Sequence, residues 1–190
     1  MFARRAGAGV LVLCSCLMQD SKVQPIPEGY STVTPYVLAK GVDGFIDFLV
    51  QAFGAEERFR VPNEDGTIGH AEVQIGGSVV MMFDAQAEWP DTPSFFTLWV
   101  DDCDAVHRAA LDAGATVVTE LSTSAWGIRG SRNRDPLGNV WWIQTKVEDV
   151  SEEEAARRIA DEPYAAEMRE STETLDRELR ALAAGRRSTS

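Results

Sequence analysis

Histidine is nearly missing from this chain: 190 residues carry only two, His70 and His107. The chain shows no zinc-ligand spacing, no Ser-His-Asp order and no phosphate loop. Cysteine is as sparse. Cys14 and Cys16 fall in the first 22 residues, which leaves Cys103 alone in the body. A lone thiol excludes an internal disulfide there and suits a reducing compartment. No run reaches the ~18 apolar residues of a membrane span. Bases are scarce beside acids, 18 Lys+Arg against 30 Asp+Glu, for a net charge of −12. Such a surface repels phosphate backbones and anionic lipid, so no nucleic acid is expected as a partner. The remainder is an ordinary globular composition, 44% hydrophobic and 25% charged, which excludes collagen, wholesale disorder and a disulfide scaffold. The length fits about one domain. Five Trp are more than solubility needs.

The two ends differ from the middle. Arg4 and Arg5 precede a short apolar run from Ala6 to Met18, and Leu13-Cys14-Ser15-Cys16 approximates a lipoprotein box. Residues 1–22 read as a disordered stretch ahead of a start at Met18, with a cytoplasmic protein, or as an export signal with a lipid anchor at Cys16. Residues 151–190 read as a helical tail. Ser151 and Glu154 form a capping box, Pro163 interrupts, and a second helix is expected over 165–184. It is supported by Glu173–Arg177 and Asp176–Arg180 at i,i+4. Met168, Thr172, Leu175, Leu179 and Leu182 form its narrow apolar seam. That seam either packs on the body or makes a dimer contact, and order is expected to end near Gly185.

The body, residues 23–150, is a repeat. Val33–Ala39 reads as a strand, and Val42, Phe45, Ile46, Leu49, Val50 and Phe53 lie on one helical face. Three strands follow, over 57–61, 68–75 and 78–83, with Asn63-Glu64-Asp65-Gly66 and Gly76-Gly77 as turns. The second half repeats the order: strand 95–100, a helix capped by Asp101 or Asp102, then strands near 116–121, 126–132 and 139–145. Gly54-Ala55 recurs as Gly114-Ala115, and Gly77-Ser78-Val79 as Gly138-Asn139-Val140. The fold class is α+β, with two βαβββ modules, 30–84 and 94–148. They are expected to pair by pseudo-twofold symmetry into one curved sheet with a cleft.

With a helix ending Phe53-Gly54-Ala55-Glu56 and the turn Arg134-Asp135-Pro136-Leu137-Gly138 before a Trp-rich last strand, the chain resembles the vicinal-oxygen-chelate superfamily. That group holds glyoxalase I, bleomycin-resistance proteins and extradiol dioxygenases. Thr34-Pro35-Tyr36, His70-Ala71-Glu72, Gly114-Ala115-Thr116 and Val147-Glu148-Asp149-Val150-Ser151 are similar to its PhnB-like subgroup. Such a fold hosts unrelated chemistries. The resemblance implies a metal held by His or Glu on the first and last strand of each module. The matching positions here are Thr34, Met81, Phe95 and Trp142. Phe and Trp cannot coordinate, and Met is too soft for an oxygen-rich site. No metal or other cofactor is expected, and a glyoxalase or dioxygenase mechanism is disfavoured.

The same strands offer an aromatic lining instead. The ligand-binding candidates are Thr34, Tyr36, Met81, Phe95, Thr97, Trp99, Trp126, Arg129 and Trp142. Trp and Tyr suit aromatic or cationic ligands. The catalytic candidates are His70, as a base beside Glu72, and Arg129, which either grips a carboxylate or phosphonate or pairs with an acidic neighbour. Arg132 and Arg134 are assigned to stapling the Asp135-Pro136 turn, His107 to the surface and Cys103 to a structural role. Three functions stay open. One is a homodimeric, metal-independent protein that binds or sequesters an apolar or aromatic, possibly cationic, small molecule. The others are a metal-free lyase or isomerase, and a regulatory partner acting through the tail helix.

Overall fold

A computed structural model describes residues 23–188, with side chains to residue 184. The expectations placed on residues 1–22, Cys16 included, lie outside it. Among the described residues no helix is long and apolar enough to cross a membrane.

Each half forms a four-stranded mixed sheet with one helix. In the first, β1 (Tyr36–Ala39), α1 (Val42–Phe53), β2 (Glu56–Pro62), β3 (Ile68–Ile75) and β4 (Ser78–Asp84) give the strand order β1-β4-β3-β2. In the second, β5 (Phe95–Trp99), α2 (Cys103–Asp112), β6 (Thr116–Thr123), β7 (Ile128–Arg134) and β8 (Val140–Lys146) give β5-β8-β7-β6. The first and last strands of each module run parallel and the other pairs antiparallel. The tail supplies α3 (Glu152–Ala160) and α4 (Glu162–Ser188). Pro163 is the second residue of α4 rather than a break before it. A proline in the first turn forfeits no intrahelical bond, so it starts the helix.

The local signals act as elementary chemistry requires. The first amides of α1 are received by Asp84, whose Oδ1 accepts from Gly41 N at 2.7 Å and Val42 N at 3.0 Å. Gly54 closes α1 at φ 63°, a left-handed conformation that glycine adopts without strain. Asp102 caps α2 by accepting from Ala105 N at 2.9 Å.

The core lies on the helix side of both sheets. Val37, Ala71, Val73 and Met82 meet buried Phe45, Ile46 and Leu49 of α1. Burying each of the larger side chains contributes roughly 1.5–3 kcal/mol. The modules join through α1 against α2 and through Trp141. Its ring stacks on Phe96 at 4.4 Å and meets Phe53 at 4.7 Å.

Strand pairing keeps two separate sheets where one continuous sheet was expected. The apolar faces are satisfied through the helices, so β1 and β5 each remain an edge. α4 lies across the second sheet, on the face away from α2. Thr119 and Thr174 hydroxyls meet at 2.7 Å, the Ser122 hydroxyl donates to Glu167 at 2.8 Å, and Arg134 pairs with Glu178 at 3.1 Å.

Candidate functional site

The faces of the two sheets that point away from α1 and α2 differ. On the second, Gly130, Arg132, Trp142 and Gln144 share one face by strand register, and α4 roofs them. The space between is a cavity of about 190 Å³, lined by Ser122, Ser124, Trp126, Trp142 and Met168 among others. Arg132 is its central charge. The guanidinium lies over the Trp142 ring at 4.4 Å, and the side chain is 7% exposed. Its Nη1 donates to the Ser171 carbonyl at 2.7 Å, to the Ser171 hydroxyl at 2.8 Å and to the Thr119 hydroxyl at 3.3 Å. These acceptors are all neutral. Burial pulls the guanidinium pKa down, and Glu167 nearby opposes this. Two polar atoms of cavity-lining residues, Arg132 Nε and Ser124 Oγ, are buried without a hydrogen-bond partner among the described residues.

Gly130 helps to open this space. A Cβ there would stand 2.4 Å from the Ile143 carbonyl oxygen, so the position admits no side chain without moving backbone.

On the first sheet no helix of the described residues covers the corresponding face. Glu72 is 3% exposed, and its two oxygens are divided between partners. Oε2 accepts from the Tyr30 hydroxyl at 2.5 Å, and Oε1 lies 3.2 Å from His70 Nε2. Arg58 approaches at 3.7 Å. Burial alone would raise the Glu72 pKa, but Tyr30, His70 and Arg58 together hold it below the usual value. His70 Nδ1 lies 2.8 Å from the Tyr36 hydroxyl. With Nε2–H donating to Glu72, Nδ1 accepts from Tyr36, so Tyr36, His70 and Glu72 form one chain. Burial, then the Glu72 charge, raises the Tyr36 pKa. Phe59 flanks His70 at 5.5 Å and Phe83 flanks Tyr36 at 5.5 Å.

The residues picked out from the sequence therefore divide among several places. Trp126 and Trp142 line the cavity under α4. Phe95 borders a second space with Leu179 and Leu182 of α4. Tyr36 and Met81 pair across β1 and β4 and share that face of the first sheet with His70 and Glu72. Thr97 and Trp99 are exposed along the β5 edge. Thr34 precedes β1, and its hydroxyl donates to the Ser31 carbonyl at 3.2 Å.

Arg129 faces the helix side, where it makes a paired contact with Asp104, Nε to Oδ2 at 2.6 Å and Nη2 to Oδ1 at 2.7 Å. That is the acidic-neighbour alternative, and it turns Arg129 away from the cavity.

Three assignments need correcting. Arg132 and Arg134 do not staple the Asp135 turn. Asp135 accepts instead from Leu137 N, Asn139 N, Asn139 Nδ2 and Trp141 Nε1, which leaves both arginines free to reach α4. His107 is 6% exposed rather than on the surface. Its Nδ1 lies 2.9 Å from the Ser131 hydroxyl and 3.1 Å from Asn133 Oδ1, which fastens α2 to β7. Arg132 itself carried a signal the sequence reading did not use. Period-two alternation puts Arg129 and Arg132 on opposite faces of one strand, so only one of them can face a ligand. Cys103 is buried at the start of α2.

The residues at the four metal positions do not fit a hard divalent ion. Thr34 offers the one oxygen, and it is engaged with Ser31. His70 and Glu72 are bonded to each other. Among the described residues no three His, Cys, Asp or Glu side chains converge.

Relatives bear on this geometry. Uncharacterized proteins of Mycobacterium bovis and Mycobacterium tuberculosis are each 36% identical over 133 residues. The match covers 64% of this chain and 88% and 78% of theirs. The crystal structure of TioX from Micromonospora sp. ML1 is similar at 29% identity and a TM-score of 0.53, covering 61% of this chain and 98% of that one. The model of the Glyoxalase/Bleomycin resistance protein/Dioxygenase superfamily matches residues 33–143, which span both modules, and the chain belongs to that superfamily.

Proposed function

We propose that this protein is a metal-independent small-molecule-binding member of its superfamily, PhnB-like in its motifs, which holds or sequesters an apolar or aromatic ligand under α4. The observation that carries this reading is the cavity between the second sheet and α4, walled by Trp126, Trp142 and Met168. Its size sets the ligand class. An apolar cavity of ~150 Å³ takes benzene, so about 190 Å³ takes one substituted ring. A ligand of glycopeptide size would need α4 displaced. The protein's own Arg132 already covers the Trp142 face, the place a cationic ligand would otherwise favour. In this reading the chain works as a homodimer, because among the described residues β1 and β5 are both edge strands with exposed aromatics, Tyr36 on one and Trp99 on the other.

Single-ring aromatics should raise the melting temperature of the full chain. Met168→Trp, which fills the cavity from α4, should abolish that effect with the fold retained. Stabilisation that survives in Met168→Trp would place the ligand elsewhere.

A second reading, a metal-free lyase or isomerase, is favoured by the Tyr36–His70–Glu72 chain. A phenol held above its ordinary pKa keeps its proton at neutral pH, so Tyr36 would hydrogen-bond the carbonyl oxygen of a substrate while His70 Nδ1, unprotonated with Nε2–H on Glu72, takes the proton from the neighbouring carbon as the base. Deuterium exchange from heavy water into carbonyl compounds, followed by NMR and lost in Tyr36→Phe, would support it. Exchange that persists in both Tyr36→Phe and His70→Ala would end it.

A further inference from the structure

We infer that Glu72 and Arg58 form a binding site for a phenolic ring, which the chain's own Tyr30 fills when no ligand is bound. The site lies on the first sheet and is separate from the cavity under α4.

Residues 23–33 precede β1, and all of them except Tyr30 are exposed. Tyr30 N donates to the Pro27 carbonyl at 3.2 Å, and the Ser31 and Thr34 hydroxyls donate to carbonyls of the same stretch, so this strap closes on itself. Among the described residues its one hydrogen bond to the sheets is made by the Tyr30 hydroxyl, which donates to Glu72 Oε2 at 2.5 Å. The Arg58 guanidinium lies over the same ring, 5.1 Å from its centroid. Tyr30 is thus held as a ligand is held, by its hydroxyl and its ring face, on a segment with few other ties. Segments with so few contacts open locally at small cost.

The seat itself belongs to the sheet. Glu72 is 3% exposed and stands in register between Phe59 and Met81, where a carboxylate is costly unless each oxygen has a donor. His70 serves Oε1 at 3.2 Å. Oε2 has the Tyr30 hydroxyl, while Arg58 Nη1 stands off at 3.7 Å, beyond hydrogen-bond reach. Once Tyr30 leaves, Oε2 lacks a donor, and that selects a ligand hydroxyl. Arg58 selects an aromatic ring to go with it. A phenol meets both requirements, whereas a carboxylate would meet Glu72 as a like charge. The backbone leaves Tyr30 from the para carbon, so a para substituent would follow the path of the strap. The hydrogen bond to Glu72 raises the Tyr30 pKa, so a hydroxyl in this seat keeps its proton and donates.

The probes are p-cresol, the tyrosine side chain without its backbone, and p-methylanisole, the same ring with its hydroxyl methylated. Both are titrated calorimetrically into the full chain, into Tyr30→Ala, and into Tyr30→Ala combined with Glu72→Leu. In Tyr30→Ala, p-cresol should bind at least about tenfold more tightly than p-methylanisole, the worth of a hydrogen bond to a charged acceptor. The unaltered chain should bind p-cresol at least about tenfold more weakly than Tyr30→Ala does, because Tyr30 competes from its own strap. Glu72→Leu removes the acceptor and should erase the preference for p-cresol. Tyr30→Phe keeps the ring and its packing, and it should still bind p-cresol more tightly than the unaltered chain.

Failure of p-cresol to outbind p-methylanisole in both Tyr30→Ala and Tyr30→Phe would overturn the inference. So would a preference that survives Glu72→Leu. Equal p-cresol affinity in the unaltered chain and Tyr30→Ala would overturn it as well, since Tyr30 would then occupy no such site and the phenol would lodge elsewhere.

Discussion

Glu72 is the residue where burial and charge conflict most sharply on the first sheet. Its carboxylate is removed from water, yet hydrogen bonds from Tyr30 and His70 and the approach of Arg58 keep its pKa below the ordinary 4.5. A carboxylate whose folded pKa is depressed contributes stability that is fully present above its unfolded value. That stability is lost as pH falls through the folded one. Glu72→Gln should therefore cost about 2 kcal/mol at pH 7, and its urea midpoint should fall less than the parent's between pH 5 and pH 3. Parallel curves would show that Glu72 is not the titrating group. Gly130 is a steric case. The atom that a Cβ would strike is a backbone carbonyl, which cannot swing aside, so Gly130→Ala should cost about 1–3 kcal/mol in thermal denaturation. A neutral substitution would mean that β8 yields locally. Such residues were unequally legible beforehand. His70 and Glu72 could be paired on one strand face by alternation alone. The placing of Arg132 against Ser171, 39 residues away, could not, because nothing local encodes where a tail helix lands.

At the scale of elements, the helices and strands were legible because each carries its own punctuation: Asp102 before α2, Gly54 after α1, glycine turns between strands. α4 is the exception, and its reason is physical. The seam Met168, Thr172, Leu175, Leu179 and Leu182 marks an apolar stripe, but the face that meets the sheet is rotated toward Glu167, Ser171, Thr174 and Glu178. Those four find polar partners on β6 and β7, and Leu179 is left exposed. A sheet face that carries arginine and threonine selects a polar helix face. Isolated helices are marginal in water, so α4 should depend on this docking. Ending the chain after Asp161 should lower the melting temperature, keep the β-sheet circular dichroism and abolish binding of single-ring aromatics. Unchanged binding in that truncation would show that α4 is no part of the site.

At the scale of the whole molecule, the repeat revealed two modules but not how they meet. Equivalent apolar faces can be satisfied within a chain or between chains, and repeat spacing is the same in either case. The packing divides the labour. Helix-side faces are buried inside the chain, and the second sheet's other face is roofed by α4. Among the described residues, no helix covers the β1 edge, with Tyr36, or the β5 edge, with Trp99 at 56% exposure. Exposed aromatics along unpaired edge strands are a liability in a monomer and an anchor in a dimer. A second copy that places its β5 edge beside β1 would cover both of these edges at once, and its twofold symmetry would bury them twice. Sedimentation should accordingly give twice the chain mass of 20.8 kDa. Trp99→Ala should weaken the dimer by about 30-fold, the effect of losing one interface hot spot, without changing circular dichroism. Because α4 is engaged with its own sheet, the truncation after Asp161 should leave the dimer intact. A dimer that ignores Trp99→Ala but falls apart on that truncation would move the contact to the tail helix.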